Sequence, residues 1–531
     1  MHGSHSTKAS LVAACLSVAF WGLYGPIASV HGAPSYGEAL EKRFDRGDAQ
    51  YLTDATADYY IAGTRIPDVT FDVGESYAGL MPVNASVPED EMQKMFFWFF
   101  PTVNPAGKDD LVIWFNGGPG CSSLEGLLEE NGPFLWKPGT FRPIENAYSW
   151  HKLANVIWVE YPIGTGFSSG PITALNNDDA AQQFVGFWRN FMDTFQLQGK
   201  KIYLTGESYA GVHVPYVGAA MLEQNDTDIF DVQGALFYDA VLPGSDGIGH
   251  DQRSLPAYIR HWNSIFGLPD SFKQKIEDMS AACGHDAYMQ KYLSYPPPPT
   301  PWPAMDDSDC DVLTPFWAEV FAINPCFNEY HITEMCPTLW DVLGYPNFVY
   351  VAEGASIYWN DNDVRRLIHV SDHNGSWAMC QGPVYAGTGS DNYDNTEHAE
   401  RLRTLVEHTN KVIIGSGQQD MVIQPNVTAL AIQMFEWNGA QGFQSPPSDD
   451  LILPAAVNPD IPNYAGGGYQ GTVHAERGLT HVTVNLAGHM VPEYTPSAAF
   501  RHLEYLLGRV GSLSSGEAFS VNISTSFTWP Y

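Results

Sequence analysis

The chain has 531 residues, 44% of them hydrophobic and 13% aromatic, enough to bury a large core either as two domains or as one enlarged α/β domain. Its 60 acidic residues against 26 lysines and arginines give a formal net charge of −34. Such a balance excludes a surface made for nucleic acid or anionic lipid and favours solubility near neutral pH.

At the amino end Lys8 precedes an uncharged apolar run over residues 11–23, followed by Gly25, Pro26 and small residues as far as Ala33. That is the pattern of a secretory signal peptide over residues 1–32. A run of about 13 apolar residues is short of the roughly 20 needed to cross a bilayer, and no later stretch is a candidate span or lipid anchor. A product of the secretory pathway, extracellular or vacuolar, is therefore expected. Five N-x-S/T sequons, at Asn84, Asn225, Asn374, Asn426 and Asn522, predict glycosylated surface positions. With Cys15 lost in the signal, Cys121, Cys283, Cys310, Cys326, Cys336 and Cys380 remain, an even set that suggests three disulfides. There is no CxxC or HExxH spacing, so no metal or other cofactor is expected.

Residues 34–95 are poorly periodic and are read as an N-terminal extension of the core. Residues 95–100 (MFFWFF) and 111–115 (LVIWF) are continuous apolar runs, fitting strands covered on both faces. The second leads into NGGPGCSS at 116–123, whose three glycines at a strand end let backbone N–H groups approach a ligand closely, as an oxyanion hole requires. Residues 156–160 read as another buried strand, ending in YPIGTGFS. Asn177, Asp178 and Asp179 then cap an amphipathic helix reaching about residue 195, with the acidic groups at its positive end.

Residues 202–205 form a short apolar run, GESYAG follows at 206–211, and 212–222 suits a helix despite Pro215. In a strand, sharp turn, helix sequence the small residues two before and two after the serine relieve crowding, so the hydroxyl stands above the sheet. Ser208 is the expected nucleophile. The same hexapeptide occurs at 74–79, where no helix can follow, and Ser76 is read as structural.

After a strand at 235–242 the α/β rhythm breaks. Residues 244–381 hold most of the cysteines, the prolines 296–299 and several short helical patterns, read as an inserted cap stapled by disulfides. Strands return at 411–416 (KVIIGS) and 480–486 (THVTVNL), and a helix at 497–510 closes the chain. The fold class predicted is α/β, an α/β-hydrolase with a central, mostly parallel sheet. Its parts are a signal peptide (1–32), a core in two pieces (33–243 and 382–531) and the cap (244–381).

A serine hydroxyl needs a histidine to take its proton and a carboxylate to orient the histidine, in the chain order serine, acid, histidine for this fold. Asp420 follows the strand KVIIGS and His489 follows THVTVNL, so both sit at carboxyl ends of strands where site loops gather. His474 and His481 precede or open the last strand, and His213 lies on the helix after Ser208; all three are read as structural.

WFNGGPGCSS, VEYPIGTGFS, GESYAG and AGHMVP, in this order, resemble the serine carboxypeptidase family, and the ending HAERGLTHVTVNLAGHMVPEYTPSAA is most similar to its fungal secreted members. The resemblance implies a secreted exopeptidase that releases C-terminal amino acids from peptides and proteins through an acyl-enzyme; an acidic optimum is expected because Glu130 and Glu207, brought together, must share a proton, while the histidine must be neutral. It implies Ser208, Asp420 and His489 as the triad, the N–H groups of Gly118 and Tyr209 as the oxyanion hole, and Trp114, Asn116, Glu130 and Glu207 as the group holding the substrate's terminal carboxylate. It also implies a Cys121–Cys380 disulfide. By likeness to nested family bonds, Cys283 is expected with Cys336 and Cys310 with Cys326. One departure is Gln418, where the family often carries an acidic residue two before the triad aspartate.

Glu125 and Glu129, one turn apart after the glycine loop, are either a wall of the leaving-residue pocket or a solvated acidic face. Competing readings are an acyltransferase or esterase on the same scaffold, disfavoured by Glu207 and by Asn116 and Glu130 together, and a catalytically silent binding protein, disfavoured by the intact triad. The partners implied are peptides or proteins with a free C-terminus.

Overall fold

The computed structural model describes residues 49–244, 252–303, 310–344, 355–373, 375–387, 389, 391, 393–454, 456–457, 462–463 and 466–523. The signal peptide expected over 1–32 and the sequon at Asn374 lie outside the described residues. Asn84, Asn225, Asn426 and Asn522 are all exposed.

The aromatic run of the sequence is a strand buried on both sides. In β3 (Lys94–Phe100) Phe97 and Phe99 point into one layer of the core and Phe96, Trp98 and Phe100 into the other, the alternation that a pleated strand imposes. All five rings are fully buried, each contributing about 1.5–3 kcal/mol of transfer free energy. Around β3 grows a sheet of 11 strands. Its members in chain order are β1 (Tyr60–Ala62), β2 (Glu75–Pro82), β3, β4 (Asp110–Phe115), β5 (Asn155–Val159), β6 (Lys201–Glu207), β7 (Asp231–Tyr238), β8 (Val412–Gly417), β9 (Asp449–Leu453), β10 (Gly468–Glu476) and β11 (Leu479–Val484). They lie side by side as β1-β2-β3-β5-β4-β6-β7-β8-β11-β10-β9. The six central strands, β5 to β11 in that order, run parallel, and antiparallel strands flank them on both sides. Two of those flanking strands, β1 and β2, come from residues read as an extension outside the core; their short lengths and mixed composition hide a pairing that only β3 supplies.

Helices cover both faces. Helix α1 (Asn177–Phe195) is capped by Asn176, whose Oδ1 accepts from the Asp179 N–H at 2.8 Å, one residue earlier than the sequence suggests. Helix α2 (Ala210–Glu223) follows Ser208 and contains Pro215 inside the helix, which removes the bond to the Gly211 carbonyl; that oxygen lies 2.8 Å from His398 Nε2 instead. Between β7 and β8 the chain builds α3 (Leu255–His261), α4 (Asp270–Cys283), α5 (His285–Tyr292), α6 (Leu313–Ile323) and α7 (Asn395–Thr409). After β8 comes α8 (Pro425–Met434), and α9 (Pro496–Leu506) ends the order.

The disulfides correct one expectation. Cys121 pairs with Cys380, but Cys283 joins Cys310 and Cys326 joins Cys336, rather than Cys283 with Cys336 and Cys310 with Cys326. The reason is local. Asn324 Oδ1 accepts from both the Cys326 and the Cys336 N–H groups, folding residues 326–336 back on themselves so that the two Cα atoms stand 5.1 Å apart. Cys283 ends α4 and meets Cys310 before α6 begins, with Cα atoms 5.7 Å apart. Both spacings suit a disulfide.

The first GESYAG is a piece of β2. Ser76 is fully buried, and its hydroxyl accepts from the Trp98 indole N–H at 3.0 Å. Ser76→Ala leaves that indole without a partner, so it is expected to cost about 1–3 kcal/mol in denaturant unfolding while Ser208 stays as reactive toward a fluorophosphonate as before.

Candidate active site

The second GESYAG bridges β6 and α2. Ser208 has φ +58°, the left-handed region that a serine enters only when its surroundings hold it there. They do: Ser208 N–H donates to the Tyr238 carbonyl at 2.9 Å and its carbonyl accepts from Val241 N–H at 3.0 Å. Gly206 and Gly211 permit the turn, since a Cβ at 206 would stand 2.2 Å from the Phe115 carbonyl oxygen and one at 211 2.3 Å from that of Val241. The glycine loop lies directly over the serine. A Cβ on Gly117 would sit 2.9 Å from Ser208 Oγ and 2.6 Å from the Tyr209 nitrogen, so the loop holding Gly118 borders both the hydroxyl and the Tyr209 N–H. Sequence reasoning does not single out Gly117, although the paired glycines carry the signal.

The glycine loop is anchored from three sides. Cys121 and Cys380 face each other across a backbone bridge, with Ser122 N–H donating to the Met379 carbonyl at 2.7 Å. Ser122 Oγ donates to Glu160 at 2.7 Å and accepts from the Trp377 indole at 3.1 Å. Burial raises the Glu160 carboxyl to about 7.

Asp420 and His489 meet three residues after β8 and five after β11. His489 Nδ1 lies 2.8 Å from Asp420 Oδ2, and both side chains are buried. Asp420 also accepts from the Val422 N–H at 2.8 Å and the Ile423 N–H at 3.1 Å, which fix the orientation of its carboxyl group. A loop that the sequence does not single out grips this pair. Within the Cys326–Cys336 loop, the Tyr330 carbonyl accepts from His489 N–H at 2.7 Å, the Glu329 carbonyl accepts from Met421 N–H at 2.9 Å, and Ile332 N–H donates to the Gln419 carbonyl at 3.2 Å. The Tyr330 ring stands edge-on to the His489 imidazole at 5.2 Å. No motif or periodicity marks Tyr330, because its role is carried by its backbone. The rival histidines are held elsewhere: His474 on Glu476, His481 near Ser416, and His213 edge-on to the rings of Tyr161 and Tyr209.

Beside the serine, carboxyl groups converge on one amide. Trp114 Nε1 donates to Asn116 Oδ1 at 2.7 Å, which turns the amide nitrogen toward Glu125 at 2.5 Å, Glu207 at 2.9 Å and, more distantly, Glu130 at 3.4 Å. Trp114 therefore orients Asn116 and does not itself point into the site. A turn of π-helix at Gly126–Glu130 carries Glu129 and Glu130 inward, and Gly126 is needed because a Cβ there would stand 2.2 Å from the Trp114 indole nitrogen. Glu125 and Glu129 are buried, which rules out the solvated face, and Glu125 joins the amide cluster outright. Carboxylate oxygens of Glu125, Glu130 and Glu207 lie within 4.8 Å of one another, the only such group among the described residues that could hold a cation. Their electrostatics instead favour shared protons: burial, then the neighbouring carboxylates, holds Glu130 and Glu207 well above the usual carboxylate range, and burial lifts Glu125 to about 7 and Glu493 to about 8.

Strands, crossover helices and a serine at a left-handed turn, with an Asp–His pair at the ends of neighbouring strands, define an α/β-hydrolase. The chain belongs to the serine carboxypeptidase family, whose profile matches residues 67–509, and it is a serine-type carboxypeptidase. It is 44% identical to a probable serine carboxypeptidase of Arthroderma benhamiae, over 88% of this chain and 90% of that protein. It is 42% identical to serine-type carboxypeptidase F of Aspergillus niger, again over 88% and 90%. Among solved structures it resembles Kex1(delta)p, a prohormone-processing carboxypeptidase from Saccharomyces cerevisiae, with a TM-score of 0.63 at 22% identity, covering 88% of this chain and 99% of that one.

The buried titratable groups set a window of stability. Glu125, Glu160 and Glu493 are raised from 4.5, so the native state holds protons that the unfolded chain releases, and stability falls as pH rises from 4.5 toward 7 or 8. His151, His213 and His502 are lowered by burial from 6.5 to about 3, and His398 and His481 to about 4, so stability also falls as pH drops below 6.5. Thermal melts are expected to show a broad maximum between about pH 4.5 and 6.5, with losses of about 1.4 kcal/mol per pH unit for each proton bound differently on either side. A maximum above pH 7.5 would contradict these assignments.

Proposed function

We propose that the protein is a secreted, glycosylated exopeptidase that cleaves the last peptide bond of chains with a free C-terminus, most efficiently in acid. Ser208 Oγ attacks the scissile carbonyl while His489 takes its proton, and Asp420 holds the imidazole and stabilises the imidazolium. The N–H groups of Gly118 and Tyr209 receive the developing oxyanion. His489 then protonates the leaving amine, and water repeats the sequence on the acyl-enzyme.

The observation that carries the reading is the amide and carboxyl cluster beside Ser208. Glu207 directly precedes the nucleophile, so a terminal carboxylate bound there places the last peptide bond at the hydroxyl. At acid pH, protonated Glu130 or Glu207 donates a hydrogen bond to that carboxylate and Asn116 adds a neutral donor. As pH rises these protons are lost, and like charges repel the substrate. His489 must be neutral to act as base, so the two requirements meet at a mildly acidic optimum.

Ser208→Ala should lower kcat by roughly 10³ to 10⁶. Peptides with a free acid and their amides, assayed side by side, should differ most at low pH, with the amide optimum lying higher; Glu207→Gln, which keeps a neutral donor, should flatten the acid-side advantage while sparing ester hydrolysis. Coincident pH profiles for acid and amide would refute the carboxylate-binding role.

Glu129 favours one refinement. It is buried beside Asp341 and Glu493, away from the Asn116 amide, and burial with these neighbours holds its carboxyl well above the usual range. A lysine or arginine as the released residue would favour the ionised form of Glu129 and bind it through a charge-assisted contact. Glu129→Gln is expected to lower the ratio of Lys to Leu release about 10-fold in a peptide-ladder assay; an unchanged ratio removes the refinement.

A further inference from the structure

The first residue after β7 is a second carboxyl behind the Asp420–His489 pair. Asp239 is fully buried with φ +41°, a conformation that the surrounding backbone imposes. Its N–H donates to the Gly415 carbonyl at 2.8 Å, and its carboxyl accepts from a single donor, the Gly417 N–H, at 2.9 and 3.1 Å to the two oxygens. Asp420 N–H in turn donates to the Gly417 carbonyl at 3.2 Å, so one residue of β8 ties the two acids together. The two carboxyl groups are close enough for each to act on the other.

Two anions cannot share this water-free space. Asp420 has three donors, from Val422, Ile423 and His489, whereas Asp239 has one. The charge therefore stays on Asp420 and the proton on Asp239. The surroundings reinforce this. Glu207 on β6 adds acidic character, Tyr238 on β7 and Tyr258 on α3 offer only neutral hydroxyls pushed well above their usual range, and His489 contacts Asp420 at Oδ2. Burial first, and the Asp420 charge second, hold the Asp239 carboxyl well above the usual carboxylate range.

We propose that Asp239 is a positioning residue for the reaction: as a neutral carboxylic acid it donates a hydrogen bond to Asp420 and so holds the single negative charge of the pair against His489. The inference rests on the proposed roles of Asp420 and His489. It supplies what Gln418 does not, a second acid beside the triad aspartate, from a strand end 181 residues before Asp420. Its consequence is an upper limit on activity. When pH is high enough to remove the Asp239 proton, the hydrogen bond becomes a repulsion, Asp420 is displaced from His489, and turnover falls even for substrates that need no protonated Glu130 or Glu207.

The test is the pH dependence of kcat and KM for an ester substrate with Asp239→Asn and Asp239→Ala, each checked for folding by thermal melt at every pH. Asparagine keeps a permanent neutral donor to Asp420 and an acceptor for Gly417. It should retain kcat within about threefold at pH 5 to 6 and shift the alkaline limb upward by about one pH unit or more. Alanine removes the donor and should lower kcat about 10- to 100-fold with KM within about twofold, since the loss acts through His489 and not through substrate contact. Superimposable limbs for Asp239→Asn and the unsubstituted enzyme would overturn the proposal, and so would a folded Asp239→Ala enzyme with unchanged kcat. If Asp239→Ala does not fold, the asparagine profile decides alone. Asp420→Ala separates the two levels: full activity there removes the reading of the Asp420–His489 pair, whereas loss of activity there with an unchanged Asp239→Asn profile removes only the role of Asp239.

Discussion

The structure depends on keeping carboxyl groups protonated where water is excluded. Glu125, Glu130 and Glu207 surround the Asn116 amide, and Asp239 stands against Asp420, all of them buried. Ionised together, these groups would repel one another through a medium that screens little. With protons shared, each becomes a donor as well as an acceptor, and the cluster is cohesive. The same condition that lets the fold exist is the one on which the proposed binding of one more carboxylate rests.

Placement of the Asp420–His489 pair is a matter of backbone. His489 and Asp420 hang from loops that β11 and β8 deliver side by side, because those strands are paired in register from Val412 opposite Leu479 to Gly417 opposite Val484. Loops alone are compliant, and here the Cys326–Cys336 loop holds both through hydrogen bonds from residues 329, 330 and 332. A segment inserted between β7 and β8 therefore belongs to the site as much as the sheet does. Its short disulfide limits the conformations open to that loop when the chain is unfolded, which lowers the entropic cost of ordering it.

The two copies of GESYAG show how far a local sequence reaches. At 74–79 the residues enter β2 and the serine hydroxyl is absorbed by Trp98; at 206–211 they form a strand end, a left-handed serine and a helix start. The hexapeptide is the same, so the difference comes from the residues that flank it. Leu80, Met81 and Pro82 continue a strand that pairs with β3, while Val212 to Leu222 make a helix that packs on the sheet.

The sequence by itself determined the class of fold, the order of the central strands along the chain, the serine at the elbow, and Asp420 and His489 after their strands. These are written in continuous apolar runs and in glycines whose spacing has one steric use. Through motifs shared with a family it also singled out Asn116, Glu130 and Glu207, which the structure brings together. It did not determine that β1 and β2 join the sheet, since a three-residue strand and a glycine-bearing one have no signal without their partner. Nor did it determine the pairing of Cys283 with Cys310 and Cys326 with Cys336, the grip of Tyr330 on His489, the turn of Trp114 toward Asn116, or the meeting of Asp239 with Asp420. Each of those depends on distance in space between residues far apart in the chain, or on backbone groups that every residue carries alike, and only the tertiary structure decides them.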